Sequence, residues 1–451
     1  MKTRFYFIVI VCSMFLGCKK YLDAKPDKKL AIPATIADLW ALLDNYTKMN
    51  MSSPRAGEEY ADTYYLTATG FKAISNINTR NNYIWNDKGE LFSDWVNAYS
   101  AIFYANVVLD EIDAVAKNEP DDMNQFDAVR GSALFFRTFM FYELAQIFAP
   151  QYAENTLSAP CIPLRLNPDP AIPSVRATVS ECYSQMINDL RTAARLLPEN
   201  SETKNRPSKA AAFGLLGRIY LNMGDYKNAA LYADSCLRIY SKLMDYNALS
   251  PTAAVPIPKF NEEVIFASRS FSESSLLYTS RCRIDTVLYR SYAENDLRKD
   301  IFFKANTDGS FTVKASYDGS YGGAYFNGLA TDEQYLILAE CYARLNNIPA
   351  AVQYLNLMLE KRFLKGKYQA IQASTSQQAL DIVLSERRKE LVFRGVRWSD
   401  IRRLNKEDRY RIYPVRKLDN ELFELKQDDN RYISLIPLKI IEITGLPQNE
   451  R

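Results

Sequence analysis

The sequence predicts a mostly α-helical fold in which helical repeats carry one loop-rich insert. Three observations predict it. First, apolar residues recur at three and four over long stretches, the period of a helix face. Second, one signature occurs twice: Phe213-x2-Leu216-Gly217-x2-Tyr220 followed by Ala229-x3-Ala233, and Tyr335-x2-Leu338-Ala339-x2-Tyr342 followed by Ala351-x3-Leu355. This is the tetratricopeptide pattern, with small residues where two helices touch and large ones filling the groove. Third, the copies stand 122 residues apart, which is no multiple of the roughly 34-residue repeat. Something is inserted between them.

The chain opens MKTRFYFIVIVCSMFLGC. Lys2 and Arg4 form a basic start, and Phe5 to Leu16 is an apolar run of twelve residues, too short to span a bilayer comfortably. Gly17-Cys18 follows. This is the build of a bacterial secretory signal (1–17) ending at a cysteine that takes lipid. Cys18 is the expected lipid attachment, and residues 18–32 are a polar tether. Two or three acyl chains on Cys18 would hold firmly, each buried methylene contributing about 0.8 kcal/mol. No later segment has the apolar length of a membrane span.

One domain is expected over 33–451. Ile36, Leu39, Trp40, Leu42, Leu43 and Tyr46 fall on one helical face. Residues 51–89, rich in Ser, Asn, Thr, Tyr and Gly, read as a long structured loop, a feature often tied to function. Helices are expected at about 90–117 and 122–148, then, after a proline-rich connection, at 177–197, 207–223 and 226–242. Gly224-Asp225 and Asn346-Asn347 are the turns of the two repeats. The insert, about 243–330, has strand and loop character: Val264–Ala267 reads as a strand, and 310–328 as turns with exposed aromatics. A last strong helix begins at a capping box, Ser374-x2-Gln377, and ends at Gly395. It carries Glu386-Arg387-Arg388-Lys389-Glu390, whose plain reading is a solvated face with local ion pairs.

Composition excludes several functions. The chain has no histidine, which removes Ser-His-Asp and Cys-His catalysis and histidine metal sites. No cofactor and no metal is expected. The formal charge of +3 becomes about +1 without the signal, which predicts no nucleic-acid partner. Cys161, Cys182, Cys236, Cys282 and Cys341 show no C-x2-C spacing, and Cys182, Cys236 and Cys341 read as small buried thiols. The 30 tyrosines suit helix packing and also sugar or peptide binding, where ring faces stack and hydroxyls find partners. Asp/Glu pairs leave a glycosidase open as an alternative, and the repeats leave a protein-binding scaffold.

Residues 386–406, ERRKELVFRGVRWSDIRRLNK, resemble the C-terminal signature of the SusD/RagB outer-membrane lipoproteins, E-R-R-x-E-L-x-F-E-G-x-R-W-x-D-L-x-R. The chain departs at Arg394, where the family usually has Glu, and at Val396, often His. Tyr21-Leu22-Asp23 with Pro26, Trp95-x3-Tyr99-x2-Ile102-x3-Asn106, Asp296-x-Arg298, Ile436-Pro437 and Pro447-Gln448-Asn449 agree in order. The resemblance covers nearly the whole mature chain. It implies a SusD-like fold and a non-enzymatic nutrient-binding protein, anchored on the outer face of the outer membrane. Such a protein passes a glycan, or a peptide, to a SusC-like TonB-dependent barrel. It also implies that the charged signature is a buried arginine–carboxylate network.

The loop Asn76–Asn86 offers amides, one planar cation and two aromatic faces. Stacking plus bidentate hydrogen bonding holds a sugar or peptide without a charged anchor. Arg80, Asn82, Tyr83 and Trp85 are the expected first wall of the ligand site. Tyr321 and Tyr325 stand opposite, and Asp62 is a further candidate.

Overall fold

The structure, a computed structural model, describes residues 33–118, 123–320 and 323–451. The expected signal, tether and Cys18 lie outside these residues, as does Tyr321.

The main helices are α1 (Ile36–Leu43), α2 (Phe92–Asn118), α3 (Met123–Phe148), α4 (Val179–Leu196), α5 (Lys209–Met223), α6 (Tyr226–Ile239), α7 (Thr331–Arg344), α8 (Ile348–Leu359), α9 (Ser376–Glu390) and α10 (Arg397–Leu404). Helices α1 to α9 form where the spacing predicts them, and α10 is one the spacing did not predict. α2 packs on α3, α3 on α4, α4 on α5, α5 on α6, α6 on α7, and α7 on both α8 and α9. The insert leaves the scaffold after α6 and returns before α7, so the two signature copies are neighbours in space.

The copies repeat in detail. Tyr220 stacks on Tyr232 with centroids 5.5 Å apart, and Tyr342 on Tyr354 at 5.7 Å. Gly224 closes α5 in a left-handed conformation (φ 79°), and Asn346 takes the same place after α7 (φ 60°). Asp225 and Asn347 then cap the next helix, each side chain accepting from the backbone N–H three residues on. Gly217 lets the helices approach: a Cβ there would sit 3.3 Å from the Ala233 nitrogen.

Two expectations about local structure are corrected. α9 begins one residue later than predicted: Thr375, not Ser374, caps it by accepting from Gln378 N–H (3.1 Å), while Gln378 accepts from Ser374 N–H (2.8 Å). Residues 51–89 are not simply loop. They hold the short helices Ala56–Glu59, Ala68–Lys72 and Ile77–Tyr83 and strand β1 (Tyr64–Leu66). Helices this short start on side-chain caps, Thr67 and Asn76, and have too few turns to show a periodicity.

The remaining strands make two-stranded antiparallel ribbons. Val264–Phe266 pairs with Leu329–Ala330, and β1 pairs with Cys282–Ile284, matching Tyr64 to Ile284. The second pairing lays the early loop beside the insert. Helices α1 to α7 and α10 share one hydrophobic core, the early loop, the insert and the segment around Leu418 share a second, and α8 and α9 close two smaller clusters with α7. The described aromatics of 310–328, expected to be exposed, belong to that second core or pack against it. Tyr317, Tyr325 and Phe326 are buried, because the Arg394 guanidinium lies 3.8 Å from the centre of the Tyr317 ring and 4.8 Å from that of Phe326. All five described cysteines are buried and free.

Candidate ligand-binding site

The charged signature joins the two cores. Arg298 donates to Asp296 (2.6 Å), Glu386 (2.6 Å) and Glu390 (3.1 Å). Arg362 bridges Glu390 and Glu263, both at 2.7 Å. Arg403 links Asp400 (2.8 Å) to Glu340 (2.6 Å). Burial pushes the Glu340 carboxyl up, but Arg403 and Arg344 outweigh it and hold the group down to about 2. The solvated-face reading of 386–390 is therefore replaced by the buried network: Glu386, Arg387, Lys389 and Glu390 are all enclosed. Arg394, the departure from the usual Glu, finds its carboxylate on Asp332 at 2.8 Å.

Most of the predicted site residues belong to this interior. Tyr83 is fully buried among Tyr64 and Phe71, and its hydroxyl accepts from Leu66 N–H at 2.8 Å. Trp85 is buried in a left-handed conformation (φ 53°). Between the two rings sits Arg416, which sequence reading missed. Its guanidinium lies 4.5 Å from the Tyr83 ring centre and 4.9 Å from that of Trp85, and it donates to the carbonyls of Tyr64 and Ala61, both at 2.7 Å. The aromatic pair packs the loop onto the scaffold. Asn82 is buried, with its amide 3.4 Å from the Glu90 carbonyl. Asp62 is held by Arg397 (2.6 Å) and Arg388 (3.1 Å), whose charges overcome burial and lower its pKa. Tyr325 is buried with its hydroxyl 3.1 and 3.0 Å from the carbonyls of Pro54 and Arg55. Arg80 is half-buried on its short helix. These corrections share one cause: the loop covers an apolar core, so its rings turn inward.

What remains partly exposed in the same region is a surface built on Arg55. A parallel bridge between Ser53 and Ser270 brings Arg55 to the insert. Its guanidinium lies 4.5 Å from the Phe271 ring centre and donates to Ser272 Oγ and the Glu273 carbonyl, both at 3.3 Å. Burial pulls its pKa down, while Glu59 and Asp94 more than restore it, so the cation is permanent. The segment Ser272–Tyr278 is fixed from below. Ser274 donates to Glu59 at 2.5 Å and its N–H to Gly323 at 3.1 Å, and Leu276 and Leu277 plug the second core. Gly323 is required by that approach, since a Cβ would fall 2.3 Å from the Ser274 carbonyl oxygen. Tyr278 is left 36% exposed, with the Arg281 guanidinium 5.8 Å from its ring centre. Tyr325 thus holds the Arg55 backbone from inside, Phe271 stacks on its guanidinium, and Tyr278 stands exposed further along the same segment. The surface offers a planar cation, two ring faces and hydroxyl and carbonyl partners, the chemistry of stacking on a sugar ring while bonding its edge. The signal for it was present in Arg269-Ser270-Phe271-Ser272-Glu273-Ser274-Ser275-Leu276-Leu277-Tyr278, whose aromatics alternate with serines.

The acidic groups fit another role. Glu263, Asp332 and Glu390 lie close enough to hold a cation, but Arg362, Arg394 and Arg298 already occupy them. The residues therefore do not suit a metal. Glu58, Glu143 and Glu263 are pushed up to about 7 by burial.

Residues 20–221 match a SusD-like family described as starch-binding, associating with the outer membrane, and residues 298–440 match the SusD family. SusD-like protein P2 of Formosa agariphila is 24% identical over 500 aligned residues, which cover 94% of this chain and 92% of that protein. A SusD superfamily protein from Bacteroides thetaiotaomicron superposes with a TM-score of 0.75 at 21% identity, covering 92% of this chain and 100% of its own. A SusD-like carbohydrate binding protein from Bacteroides vulgatus does so with a TM-score of 0.69 at 20% identity, covering 92% and 97%. The helical scaffold, the buried signature and these likenesses agree, and the chain belongs to the SusD/RagB family.

Proposed function

We propose that the mature protein is a lipid-anchored nutrient-binding protein of the outer membrane. It holds a glycan on the Arg55–Phe271–Tyr278 surface and delivers it to a SusC-like TonB-dependent barrel. The observation that carries this reading is the partly exposed Arg55 cation stacked on the Phe271 ring, with Tyr278 exposed on the same segment as Phe271, which Ser274, Leu276 and Leu277 anchor to the core. Family membership and the carbohydrate binding named for the Bacteroides vulgatus relative support it. The anchor is Cys18, after the signal of residues 1–17. Binding without chemistry fits the absence of histidine and the position of the carboxyls with raised pKa. Glu58 and Glu263 are fully buried and already hydrogen-bonded.

Affinity electrophoresis of the mature protein in gels containing neutral polysaccharides tests the binding. Retardation by at least one glycan, with no new reducing ends after incubation, is the expected result. Turnover would favour a lipid-anchored glycosidase. Copurification from membranes with a TonB-dependent barrel, and an acylated Cys18 in the mass spectrum, are expected of the native protein.

A further inference from the structure

A second cleft, of about 700 Å³, opens where α10 and the segment after it meet the end of α3. It shares no lining residue with the Arg55 surface. Three cations line it: Arg402, Lys406 and Arg411. Arg402 differs from the arginines of the buried network. Arg298, Arg362, Arg394, Arg397 and Arg403 each meet at least one carboxylate. Arg402 is equally buried, yet it donates only to the carbonyls of Gln146 and Ala149 at the end of α3. Capping the negative end of a helix offsets part of its charge. The remaining N–H groups of the guanidinium have no acceptor among the described residues. A buried cation without an anion is costly.

Lys406 stands one turn further on, with its ammonium 2.5 Å from the Tyr152 carbonyl. Surrounding protein and the Arg402 charge hold it down to about 8, the opposite of what a carboxylate partner would do. Acids border the cleft too: Asp429, paired with Arg431 (2.6 Å), and the exposed Asp428 are among its lining residues, and Asp408 pairs with Arg411, while neither Arg402 nor Lys406 pairs with a carboxylate among the described residues. The walls add the carboxamides of Gln151, Asn155 and Asn430, which suit hydroxyl groups. The volume falls in the range of small-molecule sites, roughly 300–1,000 Å³.

We propose that this cleft is an oxyanion-binding site for a carboxylated sugar, its carboxylate held by Arg402, Lys406 and Arg411 and its hydroxyls by the carboxamides. A planar carboxylate matches the guanidinium fork, and each charge-assisted bond would be short and strong. The site is independent of the proposed glycan surface, and either can fail without the other.

Saturation-transfer NMR on the mature protein with sodium glucuronate tests it, with inorganic sulfate as competitor. Glucuronate should receive saturation, and sulfate should displace it. Lys406→Gln and Arg411→Gln should each weaken binding roughly tenfold. Lys406→Arg should restore it, and Tyr278→Ala should leave it unchanged. Lys406 and Arg411 reach the surface, so unchanged melting temperatures will show that the variants fold. No saturation of glucuronate, failure of sulfate to compete, or undiminished binding in both glutamine variants would overturn the proposal.

Discussion

Replacing Arg298 with Met tests whether the charged signature is structural. Arg298 and its partners Asp296 and Glu390 have no exposed side-chain surface. The substitution leaves Glu390 with Arg362 and Glu386 with Lys389, but strips Asp296 of its guanidinium. Breaking a buried pair by removing one partner costs about 3–5 kcal/mol. The surviving partners of the two glutamates place the expected loss near the lower end, about 3 kcal/mol. Arg298→Lys keeps the charge but not the fork, and should fall between wild type and Arg298→Met. The control is Arg409→Met. Its pair with Asp381 is largely exposed, and its removal should cost less than about 1 kcal/mol. Urea unfolding followed by circular dichroism reads all four proteins. If Arg298→Met lost no more than Arg409→Met, the network would not be holding the two cores together.

Other perturbations have definite signs. Burial raises Glu58 to about 7 from an ordinary 4.5, against hydrogen bonds from Thr63 and Gly395. The folded state therefore favours its proton. The stability this contributes is full below pH 4.5 and is lost as pH rises to 7, by up to about 3 kcal/mol. Glu58→Gln should flatten the fall in unfolding free energy between pH 5 and 8, and an unchanged slope would assign that fall to other groups. Tyr83→Ala and Trp85→Ala should each cost about 3–5 kcal/mol of stability, as removal of a buried ring does. Melting curves matching wild type would return these rings to the ligand site.

The helical scaffold was legible because its code is local. The apolar spacing of α2 to α9 and the two signature copies specify helices and their contacts. The turn at Gly224 and its counterpart at Asn346 could be paired from sequence. The site was harder to read. Tyr83, Trp85 and Tyr325 have the composition of a binding wall, yet composition does not say which way a ring faces. For Tyr83 and Trp85 that is decided by Arg416, more than 330 residues away in the chain, and by the pairing of β1 with Cys282–Ile284; for Tyr325 it is decided by the carbonyls of Pro54 and Arg55. The run 386–390 misleads for the same reason. Its charges look solvated until Arg298, Asp400 and Arg362 arrive from distant segments. Arg55 and Phe271, far apart in the chain, are likewise brought together by the Ser53–Ser270 bridge.

The affinity of the mature protein for a retained glycan, compared with that of the Phe271→Ala/Tyr278→Ala double variant, tests the central claim most directly. Tyr278 is exposed and Phe271 half-buried on an anchored segment, so the melting temperature should move little. Losing two aromatic contacts of about 0.5–1.5 kcal/mol each should weaken binding tenfold or more. A double variant that folds and binds the glycan as tightly as wild type would contradict the account.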